Sequence, residues 1–375
     1  MSVASIVLYC AGLIIAGLIA AVLALVWARR QAQKQCRLDY SVREPKGIES
    51  LDFVEIGGIK QAIHIRGRDR NNPVLLFIHG GPGMAQIGWY DAMQRPWEDY
   101  FTVVQWDQRQ VGKSYSKPDS KKTAISTEQM LTDSEEVVAY LRKHLNKDRI
   151  FIMGWSYGTY LGMHLVKRKP EWIHAYIALG QFTSPMDNFR EEHALLLQHA
   201  VDTNNKELEK DLRAMMPRID PNNKLASFLV HSGKIGDELS KIGKAGRRFI
   251  GAWEFIGMTN YSLYLSPHYS LIELFRVRKG GGWPSFMAFA DSFMASNLPM
   301  EVGNQFAAPI FFFTGRHDWH VPYSLTDQWF QKIQAPYKEQ VWFEESAHMI
   351  PHEEPGKMLV ALVEKVLPLA QQKIN

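Results

Sequence analysis

The sequence has few cysteines, little net charge and no internal repeat, and these absences exclude several classes of protein. Its 375 residues include two cysteines, Cys10 and Cys36, and both precede the region that we expect to form the folded body. A disulfide framework or a cysteine metal site in that body is therefore excluded. The formal net charge of +4 is too small to indicate nucleic-acid binding. Otherwise the composition, 46% hydrophobic and 22% charged, is ordinary for a globular protein.

Charged residues are also missing from the N-terminal segment. Val3–Val26 contains none, and about 24 residues of helix rise ~36 Å, which is enough to cross a ~30 Å hydrocarbon core with some tilt. Trp27 stands where an interfacial aromatic belongs, and four basic residues follow, namely Arg29, Arg30, Lys34 and Arg37. We predict a transmembrane helix over residues 3–27 and a juxtamembrane linker over residues 28–48.

A cleaved signal peptide is the alternative for this segment. It would need basic residues before the apolar stretch and a shorter apolar core, and this sequence has neither. The basic residues all follow the apolar stretch, so the positive-inside rule predicts that the body lies in the cytoplasm. We therefore expect a single-pass membrane protein that contacts lipid through its N-terminal helix.

Beyond residue 48, strand and helix signals alternate, which predicts an α/β fold with a mostly parallel sheet. Helices are predicted from a Ser126/Gln129 capping box to about Leu145, over Thr159–Lys169 and over Met358–Leu369. The runs predicted as strands are Leu51–Ile56, Gln61–Ile65, Pro73–Ile78, Phe101–Trp106, Arg149–Met153, Ile173–Leu179, Pro309–Phe313 and Gln340–Phe343.

The strand signal disappears over residues 183–305, where the sequence is helical in pattern and rich in aromatic residues. We interpret this insert as a helical cap over the carboxyl ends of the strands, where pockets of open α/β sheets form. Residues 49–182 and 306–375 then form the core. For most of the aromatic residues, packing inside the cap is the simpler interpretation.

The segment Gly154–Gly158 has the pattern G-x-S-x-G, between a predicted strand and a predicted helix. A serine on such a turn is held in a sharp bend with its hydroxyl exposed, and the flanking glycines remove Cβ atoms that the bend would crush. The pattern therefore predicts that Ser156 is a nucleophile.

A serine nucleophile needs a base and an acid that orients the base, and in this arrangement both follow the serine in the chain. Asp318 comes just after the Pro309–Phe313 strand, and His348 comes just after the Gln340–Phe343 strand. We predict that Asp318 is the orienting acid and His348 the base.

Other residues compete for these roles. His352 lies one helical turn beyond His348 but further from the strand end, and His317 and His320 either line the pocket or lie in solvated loops. Asp107 ends the Phe101–Trp106 strand but precedes Ser156, so we interpret it as the partner of Arg109 in a structural ion pair.

The oxyanion of a tetrahedral intermediate needs two preorganised donors. The backbone N–H of Tyr157, directly after the nucleophile, is one candidate. The loop after the Pro73–Ile78 strand reads His79–Gly83 and contains three glycines, which allow the backbone to approach a substrate closely. We predict that the N–H of Gly81 is the second donor.

Five motifs in this order resemble the proline iminopeptidase family of α/β hydrolases. They are His79–Gly83, Asp107–Arg109 with Gly112 and Ser114, Gly154–Gly158, Gly315–Pro322, and His348 with Glu354 and Pro355. Gln110 and Ala347 stand where the family usually has glycine. The resemblance implies an α/β-hydrolase fold, a helical cap, a Ser156–Asp318–His348 triad and cleavage of an amide or ester through an acyl-enzyme. No metal or organic cofactor is implied.

The resemblance also bears on substrate choice. Members of the family hold the free amine of the substrate with glutamates from the cap, and Glu254 resembles one of those positions. Glu191 and Glu192 are candidates for the second. The first hypothesis is an aminopeptidase that removes N-terminal residues, proline above all. Its substrate would be a small molecule or a short peptide. The alternatives are a carboxylesterase or lipase-like hydrolase and a non-catalytic binding protein on the same fold.

Overall fold

The computed structural model describes residues 2–89, 91–115, 125–215, 222–246, 262–280, 287 and 289–371. A single eight-stranded sheet has the strand order β1-β2-β4-β3-β5-β6-β7-β8. Strand β2 is antiparallel to β1 and β4, and the other neighbours are parallel. The mostly parallel sheet is thus confirmed. The strands are β1 Ile48–Ile56, β2 Ile59–Gly67, β3 Val74–Ile78, β4 Thr102–Asp107, β5 Ile150–Trp155, β6 Ile173–Leu179, β7 Ile310–Gly315 and β8 Lys338–Phe343.

Helices flank the sheet, and the described part of the insert between β6 and β7 is mostly helical. The predicted closing helix begins at Pro355 and is α-helical to Ala361. The chain then continues as a π-helical turn, Leu362–Val366, and a 3-10 helical turn, Leu367–Ala370. The helices are α1 Val3–Tyr40, α2 Asp91–Gln94, α3 Thr127–His144, α4 Tyr157–Arg168, α5 Pro185–Asp202, α6 Lys206–Met215, α7 Lys224–Lys241, α8 Leu271–Gly280, α9 Ala290–Met294, α10 Leu298–Val302, α11 Tyr323–Lys332, α12 Ile350–Glu353 and α13 Pro355–Ala361. Helices α5 to α10 lie between β6 and β7, and residues 262–265 form a further helical turn before α8.

The central strands are buried on both faces, as their continuous apolar sequences predict. Successive side chains of a strand point to opposite faces. In β3, Leu76 and Ile78 accordingly join the hydrophobic core that contains residues of α3 and α4. Leu75 and Phe77 join the core on the other face, which includes residues of α12 and α13. These two layers fix the carboxyl edge of the sheet, from which the candidate site is built.

Helix α1 does not end where its apolar stretch ends, because it continues to Tyr40. The first part of the segment predicted as a linker is therefore helical. Its polar part contacts the segment that precedes α8: Arg29 donates hydrogen bonds to the carbonyl oxygens of Tyr264 at 2.8 Å and Tyr269 at 2.6 Å. Gln33 donates to the carbonyl oxygen of Ser266 at 2.6 Å.

The apolar part of α1 is exposed, and by length and composition it could cross a membrane. A signal sequence has the same properties. Within the described part of the chain, α1 is the one helix of this kind.

Helix α3 begins as the capping box predicts, since the Ser126 hydroxyl accepts a hydrogen bond from the N–H of Gln129 at 3.1 Å. One turn further, Asp133 forms a bidentate pair with Arg109, with both N···O distances 2.8 Å and both side chains fully buried. The predicted ion pair between Asp107 and Arg109 is therefore wrong. The guanidinium extends toward α3, where a carboxylate matches its planar geometry.

Replacing Asp133 should show how much the fold depends on this pair. Asp133→Ala leaves a buried guanidinium without its carboxylate, which costs about 3–5 kcal/mol. We expect the full chain in detergent to unfold with its midpoint at a clearly lower urea concentration. The control is Glu128→Gln, which removes a partner of Arg168 that is 68% exposed and should cost less than about 1 kcal/mol. Equal shifts for the two variants would contradict the assignment.

Candidate active site

Ser156 occupies the turn between β5 and α4, directly after Trp155 and directly before Tyr157. Its backbone has φ 53° and ψ −120°, which is a sparsely populated conformation for a residue with a side chain. Such a conformation costs about 1–3 kcal/mol and persists only where its surroundings hold it. The strained turn predicted by the G-x-S-x-G pattern is present.

Two glycines permit this turn because the chain segments around it touch. A Cβ atom on Gly154 would lie 2.5 Å from the carbonyl oxygen of Gly158. One on Gly158 would overlap the carbonyl oxygen of Ile78 at the end of β3. Any side chain at these two positions would push α4 away from the sheet, so Ser156 would lose its position.

Asp318 and His348 are in direct contact, as the sequence predicts. The imidazole Nδ1 of His348 lies 2.8 Å from one carboxylate oxygen of Asp318. The other oxygen accepts the N–H of Val321 at 2.8 Å, and both side chains are buried. Because a carboxylate accepts, Nδ1 of His348 carries the proton in this bond and Nε2 is left to accept one.

The backbone after β6 and the residue before Ser156 both pack against this pair. The N–H of Ser156 donates to the carbonyl oxygen of Leu179 at 3.0 Å. A Cβ atom on the next residue, Gly180, would lie 3.0 Å from Nδ1 of His348. The indole of Trp155 stacks on the imidazole of His348 with ring centroids 5.9 Å apart. The turn at Ser156 and the Asp318–His348 pair therefore share one corner of the sheet edge.

The glycine loop after β3 passes over the same turn. A Cβ atom on Gly80 would lie 3.1 Å from Cβ of Ser156. Gly81 follows with φ 113°, a conformation that favours glycine. Tyr157 begins α4, and the first N–H groups of a helix have no partner within the helix. The loop and the start of α4 thus flank Ser156, which suits the predicted donor positions.

His79 anchors this loop, a role that the sequence analysis missed. Its ring is fully buried, and Nε2 accepts the N–H of Gln108 at 3.1 Å. Since Nε2 accepts, Nδ1 carries the proton and donates to the carbonyl oxygen of Gly80 at 2.9 Å. Burial lowers the pKa of His79 to about 4, so the ring is neutral near pH 7. In the sequence, the position of His79 at the start of the His-Gly-Gly run was the signal that could have indicated this anchoring role.

The three histidines that competed with His348 for the role of base have other contacts around the Asp318–His348 pair. His352 stacks on Trp89 with centroids 5.4 Å apart. His317 lies with Nδ1 3.2 Å from Nζ of Lys244. His320 contacts His348 edge to face, with ring centroids 4.9 Å apart.

Asp107 is a buried anchor for backbone. It accepts N–H groups from Gln86 and Ile87 on one oxygen and from Lys113 on the other, where the Tyr269 hydroxyl also donates. Burial raises the pKa of Asp107 to about 6, although these hydrogen bonds act to lower it. The aspartate thus holds the loop after β3, the loop after β4 and the loop before α8 together.

The two candidate glutamates on α5 have different partners. Glu191 accepts a hydrogen bond from the Ser324 hydroxyl at 2.7 Å. Glu192 is almost fully buried and lies 3.2 Å from Nδ1 of His320. Burial opposes a charge on His320, but the bond to Glu192 and the charges of Glu192 and Asp318 outweigh it, so the pKa is raised. The His320 side chain is 46% exposed, so solvent weakens the effect of burial. Glu254 lies outside the described residues.

The described residues contain one group that could ligate a metal, formed by His64, Asp91 and His268. These residues belong to β2, α2 and the loop before α8. They are distinct from Ser156, Asp318 and His348, which follow β5, β7 and β8.

Comparison with known proteins identifies the family to which the fold belongs. Residues 73–236 match the model of the α/β hydrolase fold family. The chain is 30% identical over 339 residues to a probable aminopeptidase, YbaC, of Bacillus subtilis, and the match covers 84% of this chain and 95% of that protein.

Two further matches involve proteins described as proline iminopeptidases or related to them. A probable proline iminopeptidase of Leptolyngbya boryana is 33% identical over 116 residues, which are 31% of this chain and 33% of that protein. The crystal structure of a proline iminopeptidase-related protein from Thermus thermophilus superposes with a TM-score of 0.60 at 16% identity, covering 86% of this chain and 99% of the other. The chain is a hydrolase by fold and relatives, and it belongs to the proline iminopeptidase family of α/β hydrolases.

Proposed function

We propose that this chain is a membrane-anchored serine hydrolase that cleaves an N-terminal residue, proline above all, through an acyl-enzyme. The observation that carries the proposal is the 2.8 Å contact between Asp318 and Nδ1 of His348 beside the strained turn at Ser156. The three side chains follow the order serine, acid, histidine that this fold uses. The match to a probable aminopeptidase over most of both chains supports the choice of substrate.

In the proposed first step, the Ser156 hydroxyl attacks the carbonyl carbon of the bond to be cleaved, and Nε2 of His348 takes its proton. Asp318 stabilises the imidazolium that forms and keeps Nδ1 protonated throughout. The pair is buried, so its electrostatic interaction is screened less than it would be in water.

The negative charge on the substrate oxygen is stabilised next. The backbone N–H groups of Tyr157 and Gly81 are the proposed donors, and each contributes about 3 kcal/mol to lowering such a barrier. The bond between His79 and the carbonyl oxygen of Gly80 supports this role, because it fixes the loop that carries Gly81. His348 then protonates the leaving group, and water hydrolyses the acyl-enzyme with His348 again acting as base.

Recognition of an N-terminal residue requires a group that binds its ammonium. Glu192 is the best supported candidate among the described residues, because its buried carboxylate contacts His320, whose ring touches His348. A buried carboxylate near the reacting atoms favours a cationic substrate. Glu254 remains a second candidate from the sequence resemblance.

The second candidate function is an esterase or lipase-like hydrolase. The exposed apolar length of α1 favours it, since a membrane anchor would hold the enzyme close to lipid-derived esters. The aromatic contacts of Tyr157 with Phe289 and Phe293 also put apolar surface beside the nucleophile.

We propose that the folded body lies on the cytoplasmic side of the membrane, because the positive residues follow the apolar stretch.

Replacing the nucleophile tests catalysis of either kind. In Ser156→Ala, covalent labelling by a fluorophosphonate probe should be abolished, and turnover of any substrate should fall by at least about 10⁴-fold. The melting temperature should stay close to that of the wild type, since only a hydroxyl is removed. Labelling that persists in this variant would refute Ser156 as the nucleophile.

A matched pair of histidine variants tests the base. His348→Gln removes the group held by Asp318 and should lower kcat by about 10⁴-fold. His352→Gln removes a histidine four residues further on that stacks on Trp89, and it should keep most of the activity. A greater loss in His352→Gln than in His348→Gln, with both variants folded by circular dichroism, would reverse the assignment.

Two adjacent glutamates provide a test of substrate class. Glu192→Gln should lower kcat/KM for a prolyl amide by about 10- to 100-fold, because a charge-assisted hydrogen bond to the ammonium is lost. Turnover of a short acyl ester, which has no amine, should change little. The control Glu191→Gln alters a carboxylate that contacts Ser324 and should leave both substrates unaffected. Equal loss on amide and ester in Glu192→Gln would contradict amine recognition and favour the esterase.

A further inference from the structure

A second cluster of chemically reactive side chains lies outside the proposed catalytic site. His64 is on β2, Asp91 begins α2, and His268 is in the loop before α8. One ligand atom from each residue lies within 4.8 Å of those of the other two. Three segments far apart in the sequence therefore present two imidazoles and one carboxylate to a common point.

Two of the three residues are buried, and one atom of each has no hydrogen-bond partner among the described residues. His64 is 1% exposed and Asp91 is 8% exposed. Nδ1 of His64 and the Oδ1 atom of Asp91 are both buried without a hydrogen bond, and they lie 3.7 Å apart. Buried polar atoms are nearly always paired in folded proteins, so these two indicate a missing partner.

The remaining contacts show where that partner would lie. Oδ2 of Asp91 is 2.8 Å from Nε2 of His268, and the imidazoles of His64 and His268 meet edge to face with centroids 4.5 Å apart. Around a tetrahedral zinc ion, bonds of ~2.0–2.1 Å put the ligand atoms roughly 3.3 Å apart. The 2.8 Å distance from Oδ2 of Asp91 to Nε2 of His268 is shorter than that value. The 3.7 Å distance from Oδ1 of Asp91 to Nδ1 of His64 is longer.

We propose that His64, Asp91 and His268 bind a divalent first-row metal ion, with zinc as the best fit. Imidazole and carboxylate ligands suit zinc, and a water completes a site with three protein ligands. Magnesium and calcium, which prefer oxygen ligands, fit poorly.

The ion has a structural role in this proposal, because its ligands join the core to the cap. The loop that carries His268 is already held from two sides: Lys113 donates to the carbonyl oxygen of His268 at 2.7 Å, and Arg29 of α1 donates to that of Tyr269 at 2.6 Å. A metal ion would also attach this loop to β2, on which His64 lies, and would strengthen its existing contact with Asp91 of α2. It would stabilise the folded chain without taking part in the hydrolysis.

The test measures metal content and stability and does not depend on activity. The full chain, in detergent and without a histidine tag, is grown with zinc, dialysed and analysed by mass spectrometry for metals. We expect ~1 zinc per chain. After chelation, added zinc should raise the melting temperature by about 5 °C at roughly 100 times the Kd, whereas magnesium should not.

Two variants and one control localise the site. His268→Gln and Asp91→Asn should each lower zinc content at least about tenfold. The control His144→Gln replaces an exposed histidine on α3 and should bind zinc as the wild type does. Wild-type protein with less than about 0.1 zinc per chain and no zinc-dependent stabilisation would overturn the proposal. Zinc retained in a folded His268→Gln would overturn it as well.

Discussion

The geometry of the whole candidate site depends on the turn at Ser156. This residue holds a positive φ that costs about 1–3 kcal/mol, and the surrounding backbone keeps it there. Gly154 and Gly158 let β5 and α4 meet β3 without any intervening side chain. The buried strands on either side offset the strain, because β3 and β5 are covered on both faces by the two hydrophobic layers. A looser core would let this turn relax to a less strained backbone conformation.

The parallel sheet also brings Asp318 and His348 to the corner where Ser156 lies. Strands β7 and β8 are neighbours in register, so the loops that follow them lie side by side. This places Asp318 against His348 although thirty residues separate them. Trp155 and Gly180 fill the space between this pair and the turn. Gly180 has no Cβ, and a side chain there would press on the imidazole. The site is therefore rigid because it is built from strand ends and their packing.

The strand positions, the turn at Ser156 and the contact between Asp318 and His348 could be predicted from the sequence because they leave local signals. Continuous apolar runs marked the buried strands, and spacing relative to strand ends marked Asp318 and His348. Contacts between distant segments left no such signal. Nothing local distinguishes Asp107 from Asp133 as the partner of Arg109, since the choice depends on how α3 packs on the sheet. The meeting of His64, Asp91 and His268 likewise depends on tertiary packing, and the polar residues after Arg29 did not reveal that α1 continues as a helix.

The attachment of α1 has a consequence for movement of the insert between β6 and β7. Arg29 and Gln33 bind the loop before α8 from one side, and Tyr269 of that loop reaches Asp107 in the core on the other. Because Asp107 also holds the loop after β3, displacing this part of the cap would disturb the loop that lies over Ser156. We therefore expect any opening of the insert for a substrate to leave this segment in place. Helix α5 is the element to consider, because Glu192 lies on it and reaches His320 beside His348. The residue that we propose to recognise the amine would then move with the element that admits it.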